Sequence, residues 1–323
     1  MARAASAQNS MPRVSWRCRA LSWALRRWIK PNSLDQQDVA ASRKLTGRVP
    51  FGAKLAPGWH IRPVTGTGPP GAWIEPIAPD DKARTRCILY LHGGGFISMS
   101  ARTHRAITSR LACWSDTALF ALDYRLAPEH PFPAALQDTL AAFRGLVACG
   151  FAPSRIVIAG DSAGGGLALS LLVSLRDAGE ILPAAAVLFS PCTDLAATGH
   201  SITANNAADP MFFGAWVGAV ARHYLGDTTA ANPLASPVYA DLTGLPPLLF
   251  HVGQSEVLLD DSVRVDHNAR RCGVASTIKI WPGVPHGWQI FASFLPEARA
   301  SLREAAAFIA RQVSAPPAAP AGR

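Results

Sequence analysis

The sequence has no run of about 18 apolar residues, which is the length that a membrane-spanning helix needs. It also has no closely spaced cysteine pair, because its six cysteines are scattered along 323 residues. The lack of short cysteine spacings argues against a disulfide framework and against a zinc site. Charged residues are few, at 16%, whereas 49% of residues are hydrophobic. This composition is typical of a globular chain with a sizeable core.

Acidic residues are missing from the first 34 positions, and this explains most of the net charge of +9. Seven lysines and arginines precede Asp35, so the remainder of the chain carries only +2. The basic charge is therefore local to the N-terminus. Because the rest of the chain is nearly neutral, a nucleic-acid partner is not expected.

The N-terminal region begins with residues 1–12, which we expect to form a disordered leader. Over residues 14–30, apolar residues recur at helical spacing with basic residues opposite. One interpretation is a helix on a membrane surface, favoured by Trp16 and Trp23; the other is a cap helix that packs on the body. We favour the cap helix, and peripheral membrane contact through residues 13–30 stays open. The region lacks the apolar core of a secretory signal, so a cytoplasmic location is expected.

The middle of the chain alternates short apolar runs with helical segments, which predicts a mostly parallel central sheet flanked by helices, an α/β fold. Two strand-like pieces before it suggest an antiparallel hairpin. The predicted strands are residues 59–64, 72–75, 87–91, 118–122, 156–159, 184–189, 248–252 and 277–281. Ligands bind at the carboxyl ends of such strands.

The alternation lapses between Leu195 and Pro237, which suggests an insertion above the strand ends. We expect the insertion to join the N-terminal helices in one helical cap over the site. The predicted organisation is an N-terminal part of the cap, a first part of the core, the cap insertion, a second part of the core and a proline-rich disordered tail. Their ranges are 13–50, 51–194, 195–237, 238–312 and 313–323.

A sharp turn is predicted at Gly160–Gly165, between an apolar strand and a Leu/Ala-rich helix. A serine on such a turn is held in a strained conformation with its hydroxyl clear of the sheet, and small neighbours let strand and helix approach closely. Ser162 is therefore the candidate nucleophile. The amide of Ala163, at the helix start, is a candidate to stabilise an oxyanion.

Activation of a serine requires a base, and the base requires a carboxylate to orient it. His286 lies in the loop after the last predicted strand, which makes it the candidate base. Three acids follow the preceding strand. Asp260 and Asp261 have an alternative role at the start of a helix, so Glu256 is the preferred acid and Asp260 the second choice.

Consecutive glycines follow the strand at 87–91, in His92-Gly-Gly-Gly95. Such a run can turn its amides towards a developing oxyanion, so Gly94 and Gly95 are candidate donors beside Ala163. His92 itself is interpreted as structural. Three aromatic residues are candidates to line an apolar substrate pocket: Phe96, Phe213 and Trp216.

Together with the stretch Asp123 to Ala134, these motifs make the chain resemble the hormone-sensitive-lipase-like branch of the α/β-hydrolases. The resemblance covers about Trp59 to Gln312. It implies a serine carboxylesterase for short- to medium-chain acyl esters, without metal or cofactor, in which Arg125 and Glu129 form a structural pair. Members of the branch often have an aspartate where this chain has Glu256, so the acid is the weakest part of the match.

Other functions on the same fold stay open at this stage. One is a receptor that binds small molecules without catalysis, and another is a hydrolase of amides, lactones or lipids. A receptor is expected to have lost the serine, the base or the oxyanion donors, and all are present. Oligomeric state is not indicated by the sequence, and a homodimer stays open.

Overall fold

The computed structural model describes residues 14–32, 38–46, 55–64, 66, 69–80 and 85–314. Within those ranges, eight strands form one sheet. They are β1 (Trp59–Val64), β2 (Gly71–Pro76), β3 (Cys87–Leu91), β4 (Ala118–Leu122), β5 (Ile156–Asp161), β6 (Ala185–Phe189), β7 (Leu248–Gly253) and β8 (Ser276–Trp281).

The strand order across the sheet is β1-β2-β4-β3-β5-β6-β7-β8. β1 pairs antiparallel with β2, β2 pairs antiparallel with β4, and the other neighbours are parallel. The predicted mostly parallel sheet and its N-terminal hairpin are therefore confirmed. The carboxyl ends of β3, β5, β7 and β8 lie at one edge, and the loops that carry the candidate site residues leave from there.

The helices cover both faces of the sheet, and they are α1 (Trp16–Ala24), α2 (Val39–Thr46), α3 (Arg105–Ser115), α4 (Ala134–Ala148), α5 (Ala163–Asp177), α6 (Ser201–Ala204), α7 (Ala215–Leu225), α8 (Leu259–Arg271) and α9 (Pro296–Ser314). α1 continues into a π-helical turn, Leu25–Ile29, and a 3₁₀ turn, Lys30–Asn32. Further 3₁₀ turns span Pro153–Arg155, Pro237–Tyr239 and Trp288–Phe291.

Successive strand residues point to opposite faces, and both faces are apolar. Leu89 of β3 packs in a core with α4, α5 and α8, whereas its neighbour Ile88 packs in a second core with α3 and α9. All five residues of β3 and of β4 are buried. Continuous apolar runs predicted these strands. The runs are continuous because both faces of each strand are buried.

The N-terminal segment, residues 14–32, packs on the body of the fold. Ser15 caps α1 by accepting a hydrogen bond from the Cys18 amide, and Cys18 is fully buried with its thiol 3.3 Å from the Gly283 carbonyl oxygen. Farther along, the guanidinium of Arg26 donates to the Ala208 carbonyl. The N-terminal segment and the predicted cap insertion thus contact each other.

The chain ends differ in part from the sequence prediction. Residues 1–12 and 315–323 lie outside the described residues. The predicted disordered tail was to begin at position 313, but α9 continues to Ser314, and Val313 is fully buried in the core. The remaining domain boundaries stay predictions. No helix in the described part of the chain has the length and apolar character needed to cross a membrane.

Candidate active site

Ser162 lies between β5 and α5, with backbone angles φ 51° and ψ −121° that side-chain-bearing residues rarely adopt. The turn is possible because two glycines allow close contact of strand and helix. A Cβ on Gly160 would lie 2.4 Å from the Gly164 carbonyl oxygen, and one on Gly164 would lie 2.1 Å from the Leu91 carbonyl oxygen. The local sequence therefore forces the sharp turn that presents the serine.

His286 follows β8, and its Nδ1 donates a 2.7 Å hydrogen bond to Oε2 of Glu256. Glu256 is fully buried in the loop after β7. Its other oxygen, Oε1, accepts hydrogen bonds from the Ser190 hydroxyl at 2.7 Å and from the Gly253 amide at 2.5 Å. The carboxylate is thus fixed on one side by the scaffold and offers its other side to the imidazole.

The two competing acids lie elsewhere at the start of α8. Asp260 Oδ2 accepts a hydrogen bond from the Ser201 amide at 3.0 Å, and Asp261 Oδ2 accepts from the amides of Thr193 and Asp194. Asp261 holds the residues just before the predicted cap insertion against α8, and Asp260 holds the start of that insertion. Of the three candidate acids, Glu256 is the one whose carboxylate contacts the imidazole.

The protonation of His286 depends on two opposing effects. Burial lowers its pKa, but the adjacent Glu256 carboxylate, together with Asp209 and Asp161, outweighs burial and raises the pKa above the ordinary value of 6.5. The ring also meets Phe212 edge to face, with centroids 5.3 Å apart. An imidazole held in this way can accept a proton and stabilise the resulting charge.

Two residues of the glycine loop after β3 have positive φ angles. Gly94 has φ 116° and Gly95 has φ 63°, values that favour glycine. The Gly93 amide donates to Asp161 Oδ1 at 3.0 Å. Within the described residues the amides of Gly94 and Gly95 have no hydrogen-bond acceptor, so both remain able to bind an oxyanion. The first amide of α5, that of Ala163, has no partner within the helix.

A cavity of about 280 Å³ contains both Ser162 and His286 in its wall. Its surface is mainly apolar and combines the N-terminal segment, the glycine loop and the cap insertion. The lining residues are Leu25, Ile29, Ser42, Thr46, Gly94, Gly95, Ile97, Ser98, Met99, His104, Asp161, Ser162, Met211, Phe212, Trp216, His286, Gly287, Ile290 and Phe291.

Of the three aromatic residues predicted to contact substrate, Trp216 lines this cavity. Phe96 does not: it is buried and stacks on Tyr224 with centroids 3.7 Å apart. Phe213 does not either, because its ring packs against the Lys30 ammonium group 4.6 Å away. Phe212, adjacent in sequence, lines the cavity in its place. The predictions for Phe96 and Phe213 were wrong because both residues lie in irregular segments. In such segments no helical or strand periodicity indicates which side chains face inward.

Sequence reasoning also missed Asp209, which anchors the cap insertion beside the acid loop. Its Oδ1 accepts hydrogen bonds from the amides of Met211 and Phe212, and its Oδ2 accepts from the Val257 amide. Burial raises the pKa of Asp209. The Asp-Pro pair that begins at this residue was the available signal, since aspartate before proline favours a turn.

Two buried histidines, His92, which the sequence analysis interpreted as structural, and His251, contact groups of the scaffold. His92 Nδ1 lies 2.7 Å from the Gly93 carbonyl oxygen, and its ring stacks on Tyr124. His251 Nδ1 lies 2.8 Å from the Ser301 hydroxyl. Burial lowers the pKa of each to about 3, so both rings are neutral.

The pairing of Arg125 with Glu129 that the resemblance implied is wrong. Arg125 lies 2.8 Å from Asp138, one turn into α4, whose carboxylate also accepts from the Arg125 backbone amide. Glu129 pairs at 2.7 Å with Arg43 of helix α2. The loop thus connects the cap to the body. In the described ranges, no group of three or more His, Cys, Asp or Glu side chains is arranged to hold a metal ion.

Comparisons with known proteins identify the family of this chain. A family model described as the alpha/beta hydrolase fold matches residues 88–290. An acetyl-hydrolase of Streptomyces hygroscopicus is 44% identical over 237 residues, which are 73% of this chain and 78% of that protein. The chain belongs to the α/β-hydrolase family.

Similar solved structures indicate which branch of the α/β-hydrolases the chain resembles. The esterase EstE5, in crystals soaked with p-nitrophenyl butyrate, is 40% identical, with a TM-score of 0.86 over 93% of this chain and 100% of that one. An esterase of the bacterial hormone-sensitive lipase family is 40% identical, with a TM-score of 0.81 over 92% and 97% of the two chains. The predicted resemblance to this branch of ester hydrolases is confirmed.

Proposed function

We propose that this protein is a serine carboxylesterase in which Ser162, His286 and Glu256 form the catalytic triad. The observation that carries the proposal is the buried Glu256 carboxylate bonded to His286, whose ring shares one cavity with Ser162. The order of the three residues in the chain, serine, acid and histidine, is that of α/β-hydrolases. Neither a metal ion nor a cofactor is required by this chemistry.

In the first half of the reaction, the Ser162 hydroxyl attacks the ester carbonyl and its proton passes to His286. Glu256 stabilises the imidazolium and holds the ring in the correct orientation. The amides of Gly94, Gly95 and Ala163 bind the negative oxygen of the tetrahedral intermediate. His286 then gives the proton to the leaving alcohol, and an acyl group remains on Ser162.

In the second half, water attacks the acyl-enzyme while His286 takes a proton from it. Collapse of the second tetrahedral intermediate returns that proton to Ser162 and releases the carboxylic acid. The products are one alcohol and one acid for each ester and water consumed. The serine is regenerated, as a catalytic cycle requires.

Acyl chains of short to medium length suit the cavity best. Its volume of about 280 Å³ is small, at the lower limit of ligand pockets, which are roughly 300–1,000 Å³. Its wall is formed largely by apolar side chains such as Ile97, Met211 and Trp216. These favour a small hydrophobic ester over a polar one.

The test is hydrolysis of p-nitrophenyl esters from acetyl to long acyl chains by the wild type and by Ser162→Ala. We expect turnover that is highest for short or medium chains and falls by on the order of 10⁴-fold or more in the variant. Ser293→Ala, at an exposed serine, is the matched control. Equal turnover by wild type and Ser162→Ala, both folded, would refute the nucleophile. Absence of turnover by the wild type would favour a receptor.

A further inference from the structure

Three tryptophans are exposed on the outward side of the N-terminal helical segment, residues 14–32. Trp16, Trp23 and Trp28 are 68%, 62% and 55% exposed, and together they are called the tryptophan face below. The rings of Trp23 and Trp28 meet edge to face at 5.1 Å, so these two side chains form one patch. Exposed tryptophans grouped in this way mark an interaction surface, because large apolar side chains are normally buried.

The same surface is strongly basic. Four arginines, Arg17, Arg19, Arg26 and Arg27, alternate with the tryptophans and are exposed, and residues 14–32 contain no acidic side chain. The Arg17 guanidinium lies 5.6 Å from the centroid of the Trp16 ring and donates to the Phe294 carbonyl. The surface therefore combines aromatic rings with positive charge.

The opposite side of this segment forms part of the cavity wall, through Leu25 and Ile29. The segment is held to the cap insertion by the Lys30 ammonium group, which donates to the carbonyls of Asn206 and Asp209. A partner bound to the tryptophan face would thus lie one helix diameter from the catalytic cavity, about 10 Å.

We propose that the tryptophan face docks on an anionic membrane surface and presents the cavity to acyl esters dissolved in the bilayer. Tryptophan rings insert at the boundary between headgroups and acyl chains, while arginines attract anionic lipid. The substrate part of this inference rests on the proposed esterase function. The docking part does not.

A second copy of this chain fits the surface less well. A two-fold dimer places the same patch on both sides of the interface, so the four arginines of one copy would face those of the other. No acidic side chain of residues 14–32 would neutralise them. An anionic lipid surface supplies the missing negative charge.

The docking test is co-sedimentation of the full chain with vesicles of phosphatidylcholine, with and without phosphatidylglycerol. We expect binding to the anionic vesicles that weakens with salt. It should fall roughly tenfold or more in the triple variant Trp16→Ser, Trp23→Ser, Trp28→Ser, and also in Arg19→Gln, Arg27→Gln. Ile77→Ser, Ile181→Ser is the matched control, because these side chains are 66% and 73% exposed outside the segment.

Equal binding by the wild type and the triple variant would overturn the proposal, and so would an absence of binding by the wild type. Sedimentation velocity without lipid gives a third outcome: a dimer lost in the triple variant, together with no vesicle binding, would assign the surface to a second copy. Circular dichroism shows whether the variants are folded.

Hydrolysis separates the two parts of the inference. The triple variant should hydrolyse water-soluble p-nitrophenyl acetate at the wild-type rate but lose roughly tenfold against an ester embedded in anionic vesicles. Ser162→Ala should bind vesicles like the wild type and hydrolyse neither. Vesicle binding without any turnover by the wild type would leave docking in place and refute the esterase. Equal loss by the triple variant on both substrates would refute delivery from the bilayer.

Discussion

His104 Nε2 lies 3.2 Å from Asp161 Oδ2, and both side chains are buried in the wall of the cavity that contains the candidate nucleophile. The other oxygen of Asp161 accepts hydrogen bonds from the Tyr90 hydroxyl at 2.6 Å and from the Gly93 amide at 3.0 Å. One carboxylate therefore joins strand β3, the glycine loop, helix α3 and the turn that carries Ser162. We expect His104 and Asp161 to act as positioning residues rather than catalytic ones.

The stability of this pair should depend on pH in a defined direction. Burial lowers the pKa of His104, but Asp161, together with Ser100 and Asp123, outweighs burial and raises the pKa above its ordinary value of 6.5. The stabilisation by His104 is therefore complete below pH 6.5 and is lost as the pH rises through the raised pKa. Burial raises the pKa of Asp161, but His104, together with Tyr90 and His92, outweighs burial and lowers the pKa below 3.8, so the stabilisation by Asp161 is lost only in acid.

We expect His104→Gln to lower the free energy of unfolding by about 3 kcal/mol near pH 6, because it leaves a buried carboxylate uncompensated. Urea unfolding of both proteins from about pH 5 to 8 measures the difference, which should shrink as pH rises. Asp123 and His92, two other titratable neighbours of His104, remain in the variant but lose the influence of the His104 charge on their own pKa values. A difference that grows with pH would contradict the assigned ion pair.

A second prediction concerns the acid of the triad. Glu256→Gln removes the charge that raises the pKa of His286, so burial should then dominate and lower it. We expect kcat/KM to fall on the order of 10³–10⁴-fold, and the acidic limb of its pH profile to move to lower pH. The measurement is hydrolysis of p-nitrophenyl acetate across that limb.

Asp260→Asn is the control for this prediction, because it removes the competing acid and leaves the Glu256–His286 contact intact. Its acidic limb should remain that of the wild type, and its rate should change about twofold at most, as for a residue outside the triad. If Asp260→Asn loses activity while Glu256→Gln retains it, the two acids exchange roles.

The strands could be predicted from sequence because their physical cause is local. A strand buried on both faces must be apolar at every position, and β3 and β4 have the bounds that their apolar runs indicated. The turn at Ser162 was equally local, since Gly160 and Gly164 are needed wherever a strand and a helix approach this closely. Prediction succeeded where neighbours in sequence are also neighbours in space.

It failed where the partner is distant in the chain and the backbone is irregular. Glu129 bonds to Arg43, 86 positions away, and no period in either segment indicates that contact. Phe212 and Phe213 are adjacent, and only the turn fixed by Asp209 determines which ring faces the cavity. The His104–Asp161 pair likewise joins two elements whose sequences show no sign of each other.

A third prediction concerns the oxyanion loop. A Cβ on Gly94 would lie 2.2 Å from the Ser98 carbonyl oxygen, and φ at this position is 116°, so Gly94→Ala must displace the loop. We expect kcat to fall by about 10²–10³-fold with a smaller change in KM, because the lost interaction forms in the transition state. Initial-rate assays over a range of p-nitrophenyl acetate concentrations give both kcat and KM.

Gly145→Ala is the matched control for the loop variant. Gly145 lies in α4 with open space around the added methyl group, so alanine should slightly stabilise the helix and leave kcat unchanged. Thermal unfolding of both variants separates a folding defect from a catalytic one. A folded Gly94→Ala protein with the wild-type rate would exclude this amide from the site.

The last prediction uses two adjacent phenylalanines to test what limits acyl-chain length. Phe212 lines the cavity and stacks on Trp216 with centroids 4.4 Å apart, whereas Phe213 lies outside it. Phe212→Ala should therefore raise the ratio of kcat/KM for long over short p-nitrophenyl esters roughly tenfold, since apolar pockets discriminate chain lengths by about this factor. Phe213→Ala should leave the ratio unchanged. Because Phe212 also touches His286, the ratio is the informative quantity: a general loss of catalysis cancels from it. An equal shift in both variants would mean that loosening of the cap, and not the ring in the cavity wall, sets the limit.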